Sequence, residues 1–244
     1  MLFVTVSRKA KRWLLAGLSL AALLVLVHYG VRLGPGLLVA GKLHPIRSVN
    51  TKLNQAALTF DISWGEKVLP PVLEVLKKYG VRSTFFISGP WAAAHPDLAR
   101  AIVAAGHELG SHGHHHLNYS QYPKEVIQEN LRQAHQIIRD VTGVDCNLFR
   151  PPNGDYDDLV ISTALELGYA TIIWDTDSLD WKNPGVKFMV DRVTKKAHPG
   201  DIILMHASDS AQQTPEALPA IIEGLRKEGL ELVPVSQLLR SAVE

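Results

Sequence analysis

Four of the chain's eleven histidines fall within one ten-residue stretch, Gly110 to Tyr119, and two of them, His112 and His116, stand four positions apart. A helical turn beginning at Gly113 would bring both imidazoles to one side, within reach of a single ion; a polar loop in which histidines merely cluster has the same composition. The single cysteine, Cys146, can close no intramolecular disulfide and has no second thiol for a thiolate site, so any ion must be held by nitrogen and oxygen. Elsewhere Asp61, Arg150, Asp177 and His206 supply carboxylates, a guanidinium and a further imidazole. Together these are the parts of hydrolytic proton transfer: a base, a group that keeps it ionised, and an acid.

Residues spread from position 61 to position 206 can meet only if the fold brings strand ends together. From Gln55 onward one phrase recurs: an amphipathic helix, a glycine, a few residues, then a short apolar strand. Gly80 precedes Ser83 to Ile87, Gly106 precedes Glu108 to Ser111, and Gly143 precedes Leu148 to Arg150. Gly168 precedes Ala170 to Trp174, Gly200 precedes Ile202 to Met205, and Gly229 precedes Glu231 to Val235. Each glycine suits the left-handed residue that ends a helix.

With an opening strand at Ala56 to Ile62, this predicts seven strands. The helices between them carry apolar residues at three- and four-residue spacing, as in Val126, Ile127, Leu131, Ala134, Ile138 and Val141. Strands alternating with helices imply parallel pairing and right-handed crossovers. The expected architecture is an irregular seven-stranded (β/α) barrel, incompletely closed, with an open doubly wound sheet as the alternative. In a parallel barrel the chemistry sits where strands end. Asp61 ends the first strand, His112 the third, Arg150 the fourth and His206 the sixth, and Asp177 lies just past the fifth, so one mouth would collect them all.

The chain has 244 residues and a formal net charge of +1, which provides no broad basic surface for nucleic acid. No glycine-rich phosphate loop is present. Arg8, Lys9, Lys11 and Arg12 precede an apolar run from Trp13 to Val27, and small residues suited to cleavage do not follow it. The stretch to Val31 approaches the roughly 20 residues that span a bilayer, and the basic cluster should remain cytoplasmic. The expected organisation is a basic segment and single-pass membrane anchor over 1–33, a linker over 34–54, and an extracytoplasmic catalytic domain over 55–244.

Thr59-Phe60-Asp61, His112 with His116, Arg150 to Gly154, Asp177 to Trp181, and Leu204-Met205-His206 resemble, in order, the five motifs of the polysaccharide deacetylases, the NodB-like carbohydrate esterases. The resemblance covers about Ala56 to Leu239, and Thr59 to Gly65, Ser88 to Trp91 and Leu204 to Ser210 look most like the sporulation-associated branch. It implies metal-dependent N-deacetylation of a cell-wall glycan such as peptidoglycan. A divalent ion, zinc by preference, would sit on His112 and His116, with Asp61 as base held by Arg150 and His206 as acid. Asp177 would orient His206, with Asp180 as the alternative; the Asn153 backbone N–H would stabilise the oxyanion, and Trp181 would wall the site.

One position departs from the pattern. Most relatives carry a second aspartate after the base, where this chain has Ile62, which cannot ligate. Three readings follow: the ion is weakly bound with an extra water, His115 or Asp209 replaces the ligand, or the domain is a non-catalytic carbohydrate-binding relative. An O-acetyl esterase using the same machinery is a further alternative.

Overall fold

The computed structural model describes residues 43–243, so the expected membrane anchor lies outside the described residues. Among the described residues no helix is long and apolar enough to cross a membrane. The elements run β1 (Gln55–Ile62), α1 (Leu69–Tyr79), β2 (Thr84–Ile87), α2 (Gly89–Ala94), α3 (Pro96–Ala104), β3 (Glu108–Ser111), α4 (Lys124–Thr142) and β4 (Leu148–Phe149). They continue with α5 (Asp158–Glu166), β5 (Ala170–Thr171), β6 (Thr176–Asp177), α6 (Val186–Lys196), β7 (Ile202–His206), α7 (Thr214–Lys227), β8 (Glu231–Leu232) and α8 (Val235–Arg240). The six glycines of the recurring phrase all take positive φ.

The strand count corrects the sequence expectation from seven to eight. The strand expected over Ala170 to Trp174 is two short strands, β5 and β6, which occupy opposite edges of the order β5-β4-β3-β2-β1-β7-β6, with β8 on the start of β1. Every pairing is parallel. Only residues 172–175 join the two edges, and an extended linker of that length spans roughly 18 Å. In a flat sheet, edges six strand spacings apart would lie about 29 Å apart. The sheet therefore curls into an incompletely closed barrel, and the doubly wound alternative fails.

Residues expected to be linker also belong to the barrel. Ile46 N–H donates to Thr171 O (2.9 Å), Ile173 N–H donates to Ile46 O (2.8 Å), and Ser48 bridges Asp201, so residues 46–48 tie β5 to the start of β7.

Strand alternation sorts the side chains into two cores. Ala56, Leu58, Phe60 and Ile62 of β1, Phe149 of β4, and Ile203 and Met205 of β7 share one cluster with the helix residues Leu76, Ile102, Ile127, Leu131 and Ile222. The opposite parity, Ala57, Phe86, Leu148 and Ile202, fills the barrel interior with Ile172 and is closed off from below by Val235 and Leu238 of α8. Each buried aliphatic side chain contributes about 1.5–3 kcal/mol of transfer free energy. The same period of two puts Asp61, Arg150 and His206 on the inner parity at the strand ends.

Gly200 sits where the segment before β1 crosses the start of β7. Its φ is +86°, and a Cβ there would stand 1.9 Å from Val49 O, whose own N–H donates to Gly200 O. Gly200→Ala is expected to lower stability by roughly 3 kcal/mol in urea unfolding, since left-handed strain and a backbone clash act together.

Candidate active site

Asp61, the penultimate residue of β1, stands beside His206 of β7 and Phe86 of β2 in register. Arg150, one residue past β4, is fully buried; its Nη1 donates to Asp61 Oδ1 (2.8 Å) and its Nη2 to Ile173 O (3.2 Å). The guanidinium lies over the Phe86 ring at 4.1 Å, and Gly110 on β3 leaves room for that ring, because a Cβ at Gly110 would meet Phe86 at 2.5 Å. Burial alone would raise the pKa of Asp61, but Arg150 first, then His112 and His206, outweigh it and hold the carboxyl below its usual value. The base is thereby ionised and fixed.

His112 and His116 do come together, with ring centroids 5.6 Å apart, but no helical turn joins them. The chain instead bends at His114 and His115 after Gly113, whose φ is +75° and which has the Tyr119 hydroxyl where a side chain would stand. Asn130 of α4 holds the bend: its Oδ1 accepts from His114 N–H (2.6 Å), His115 N–H (3.3 Å) and the Tyr119 hydroxyl. Asn130 was not anticipated, although a lone asparagine on the apolar face of α4, between Ile127 and Leu131, is the kind of signal that marks a buried tie.

His112 Nδ1 meets the backbone carbonyl of Arg150 at 2.8 Å, which can only accept, so the proton of the neutral ring is on Nδ1. Burial pushes His112 down to about 4, so the ring is neutral near pH 7. Its Nε2 lone pair then faces Asp61 Oδ2 at 3.8 Å. Two acceptors facing each other in a buried place fit a cation, as does the second imidazole of His116. Ile62 is fully buried in the outer core, on the opposite parity from Asp61, so it offers nothing to that ion. The proposed substitutes do not line the cavity. Asp209 accepts the N–H groups of Lys67 (2.8 Å) and Val68 (3.1 Å), and the exposed His115 packs edge-on against His114.

The partner of His206 is Asp180, which corrects the choice of Asp177. Asp180 Oδ1 accepts from His206 Nδ1 (2.7 Å) while Oδ2 accepts from His206 N–H (2.6 Å) and the Thr214 hydroxyl (2.7 Å). Leu179 in the left-handed region turns Asp180 inward, while Asp177 Oδ1 is occupied by Leu179 N–H. Burial opposes charge on His206, but Asp180 above all, with Asp61 and Asp177, outweighs it and raises the pKa above 6.5. Nε2 of His206 is left for the cavity.

These groups open on a cavity of about 480 Å³ that Asp61, His112, His116, Asn153, Asp177, Trp181 and His206 line as expected; Trp64, Trp174, Ser63, Ser208 and Ser210 also line it and were not foreseen. Asn153 holds φ +59° in the turn after Arg150, with its side chain donating to Asn118 Oδ1 (2.8 Å). Trp181 is half exposed, with Lys182 Nζ 4.7 Å from its ring centroid. Asp175, His198 and Asp201 also bring possible ligand atoms within 4.8 Å of one another, at the opposite end of the strands. There both ring nitrogens of His198 are already engaged within the protein, by Pro199 O (2.9 Å) and Asp175 Oδ2 (3.0 Å).

The sequence profile described as polysaccharide deacetylase matches residues 48–172. The chain is 37% identical over 187 residues to a peptidoglycan-N-acetylglucosamine deacetylase of Bacillus cereus, covering 75% of this chain and 87% of that one. It is 34% identical over 194 residues to the peptidoglycan-N-acetylmuramic acid deacetylase PdaA of Bacillus subtilis, covering 78% and 73%. It spans 60% of the length of the uncharacterized B. subtilis protein YlxY, to which it is 33% identical. Among solved structures, BA3943 of Bacillus anthracis, described as a CE4 family pseudoenzyme, superimposes with a TM-score of 0.78 at 33% identity, covering 82% of this chain and 70% of that one. A mutant of BA3943 is described as having restored enzymatic activity.

Two outcomes follow from the geometry. In an NMR titration, Asp180→Asn is expected to lower the His206 midpoint by about one unit or more, and Asp177→Asn to lower it less. Arg150→Met, which leaves Asp61 buried without its partner, is expected to cost roughly 3–5 kcal/mol near neutral pH. Because the folded pKa of Asp61 is depressed, the pairing stabilises above the unfolded value of 3.8 and fades as pH falls through the folded value. The deficit of the variant, followed by denaturant unfolding across pH, should therefore shrink in acid.

Proposed function

The chain belongs to the polysaccharide deacetylase family of hydrolases, and from that premise we propose that it removes N-acetyl groups from the sugars of peptidoglycan. The observation that carries this reading is that Asp61, paired with Arg150, and His206, paired with Asp180, line one cavity. Asp61 is held charged by Arg150, and His206 is held above its ordinary pKa by Asp180. Each is matched to one half of amide hydrolysis.

In this reading Asp61 takes a proton from water as the water oxygen bonds to the acetyl carbonyl carbon. Asn153 offers its backbone N–H to the oxygen that becomes negative. His206 then gives its Nε2 proton to the sugar nitrogen, the C–N bond breaks, and acetate leaves a free amine on the glycan. Asp61 ends protonated and His206 neutral, and exchange with solvent restores both. His112 and His116 would hold the divalent ion, which when bound polarises the carbonyl and makes water a better nucleophile. With Ile62 in place of a third carboxylate, we propose that this ion is weakly held. The apolar run ahead of residue 43 supports a membrane-anchored placement with the domain outside the cytoplasm.

The position of Ile62 and the likeness to BA3943 favour one second reading, a glycan-binding domain without turnover. Incubation with peptidoglycan and N-acetylglucosamine oligomers in excess zinc separates the two. The proposed activity releases acetate and amine in equal amounts, and Asp61→Asn reduces the rate at least roughly 100-fold. Acetate without amine would indicate an O-acetyl esterase; bound zinc with no acetate from any substrate would overturn the deacetylase reading, and glycan binding unaffected by His112→Ala, with no metal retained after dialysis, would support the second reading. The rate is expected to fall in acid only below the usual carboxylate range and in base only above 6.5, since Asp61 is shifted down and His206 up. His112→Ala is expected to abolish zinc binding measured by equilibrium dialysis.

A further inference from the structure

Trp64 lies outside the proton-transfer machinery, yet it is built into the mouth of the cavity with unusual care. It is 47% exposed, so it does little for the core, and its ring meets His116 edge-on at 5.6 Å. The loop that carries it is tied by five hydrogen bonds. Asp209 Oδ1 accepts from Lys67 N–H (2.8 Å) and Val68 N–H (3.1 Å), and Asp209 N–H donates to Trp64 O (3.4 Å). Trp91 Nε1 donates to Gly65 O (2.7 Å), and Ser63 N–H donates to Ser208 Oγ (3.1 Å). Gly65, at φ +82°, packs so closely on Asp209 that a Cβ would stand 2.2 Å from Cγ.

A second observation points to a ligand. The hydroxyls of Ser63 and Ser210, which line the same cavity as Trp64, are buried and have no hydrogen-bond partner. A buried hydroxyl without a partner costs about 1–3 kcal/mol and is retained where something else completes it. A rigid indole beside two unsatisfied hydroxyls matches a pyranose, which shows an apolar C–H face and a rim of hydroxyl groups.

We propose that Trp64, Ser63 and Ser210 form a subsite for the sugar next to the one being deacetylated, and that Asp209 is the positioning residue that fixes Trp64 over it. The proposal rests on the deacetylase reading for the identity of the ligand as a glycan. It assigns Asp209 a structural task toward substrate in place of a task toward the metal. A fixed platform binds better than a mobile one because less freedom is lost on binding.

The test is the dependence of affinity on chain length, measured by calorimetry with N-acetylglucosamine oligomers of one to six sugars on the full chain. The wild type should gain affinity with length, and Trp64→Ala should lose about tenfold for the hexamer, so that the ratio of hexamer to monomer affinity collapses. Trp64→Phe should keep most of the gain. Asp209→Ala should lose the gain although Trp64 is intact, and Asp209→Asn, whose carbonyl oxygen can still accept both N–H groups, should restore it. An unchanged length dependence in Trp64→Ala would overturn the subsite while leaving the deacetylase reading in place. A wild type that binds every length equally, or binds no oligomer at all, would do the same, since the deacetylase reading is decided separately by acetate release from peptidoglycan. If Asp209→Ala keeps the full gain, the positioning role is wrong.

Discussion

The ion pair between Asp61 and Arg150 is the constraint around which the barrel is arranged. Both partners are buried, and neither charge is tolerable there without the other. The pair closes only if the end of β1 and the end of β4 point into the same space across the intervening β2 and β3. That requires the sheet to curl. It also requires an aromatic floor for the guanidinium, supplied by Phe86, and an absent side chain at Gly110 so that Phe86 fits. A change at any of these positions reaches the base through the arginine.

The two imidazoles on either side of Asp61 are specified by opposite kinds of partner. His112 leans on the backbone carbonyl of Arg150, and burial keeps it neutral, as a ligand must be. His206 leans on the carboxylate of Asp180, which favours its charged form, as an acid must be. One residue type is thus set to two tasks by the group on its Nδ1. The proposed chemistry depends on that difference more than on the presence of histidine as such.

Ile62 shows how the same pleat that builds the site also limits it. Its side chain belongs to the packed layer between sheet and helices, one residue from the base and on the other parity. A carboxylate in its observed position would be buried among apolar side chains unless the strand end turned. Ile62 is therefore a core residue and supplies no carboxylate beside the base.

Much of this was legible in the amino-acid order. Periodicity and helix-ending glycines gave the alternation of strands and helices, and the strand ends gave Asp61, His112, Arg150 and His206, because pattern and spacing are local properties. The order alone did not reveal that residues 170–177 form two strands at opposite edges, since the break depends on how far a curled sheet lets four residues reach. It also favoured Asp177 over Asp180, because motif spacing is blind to the left-handed turn at Leu179 that swings the later carboxylate inward. The helical turn expected between His112 and His116 gave way to a bend held by Asn130 from a helix more than ten residues on. What the sequence determined was which groups are available at which strand ends; which carboxylate meets which imidazole, and which tautomer results, was decided by contacts between elements far apart in the chain.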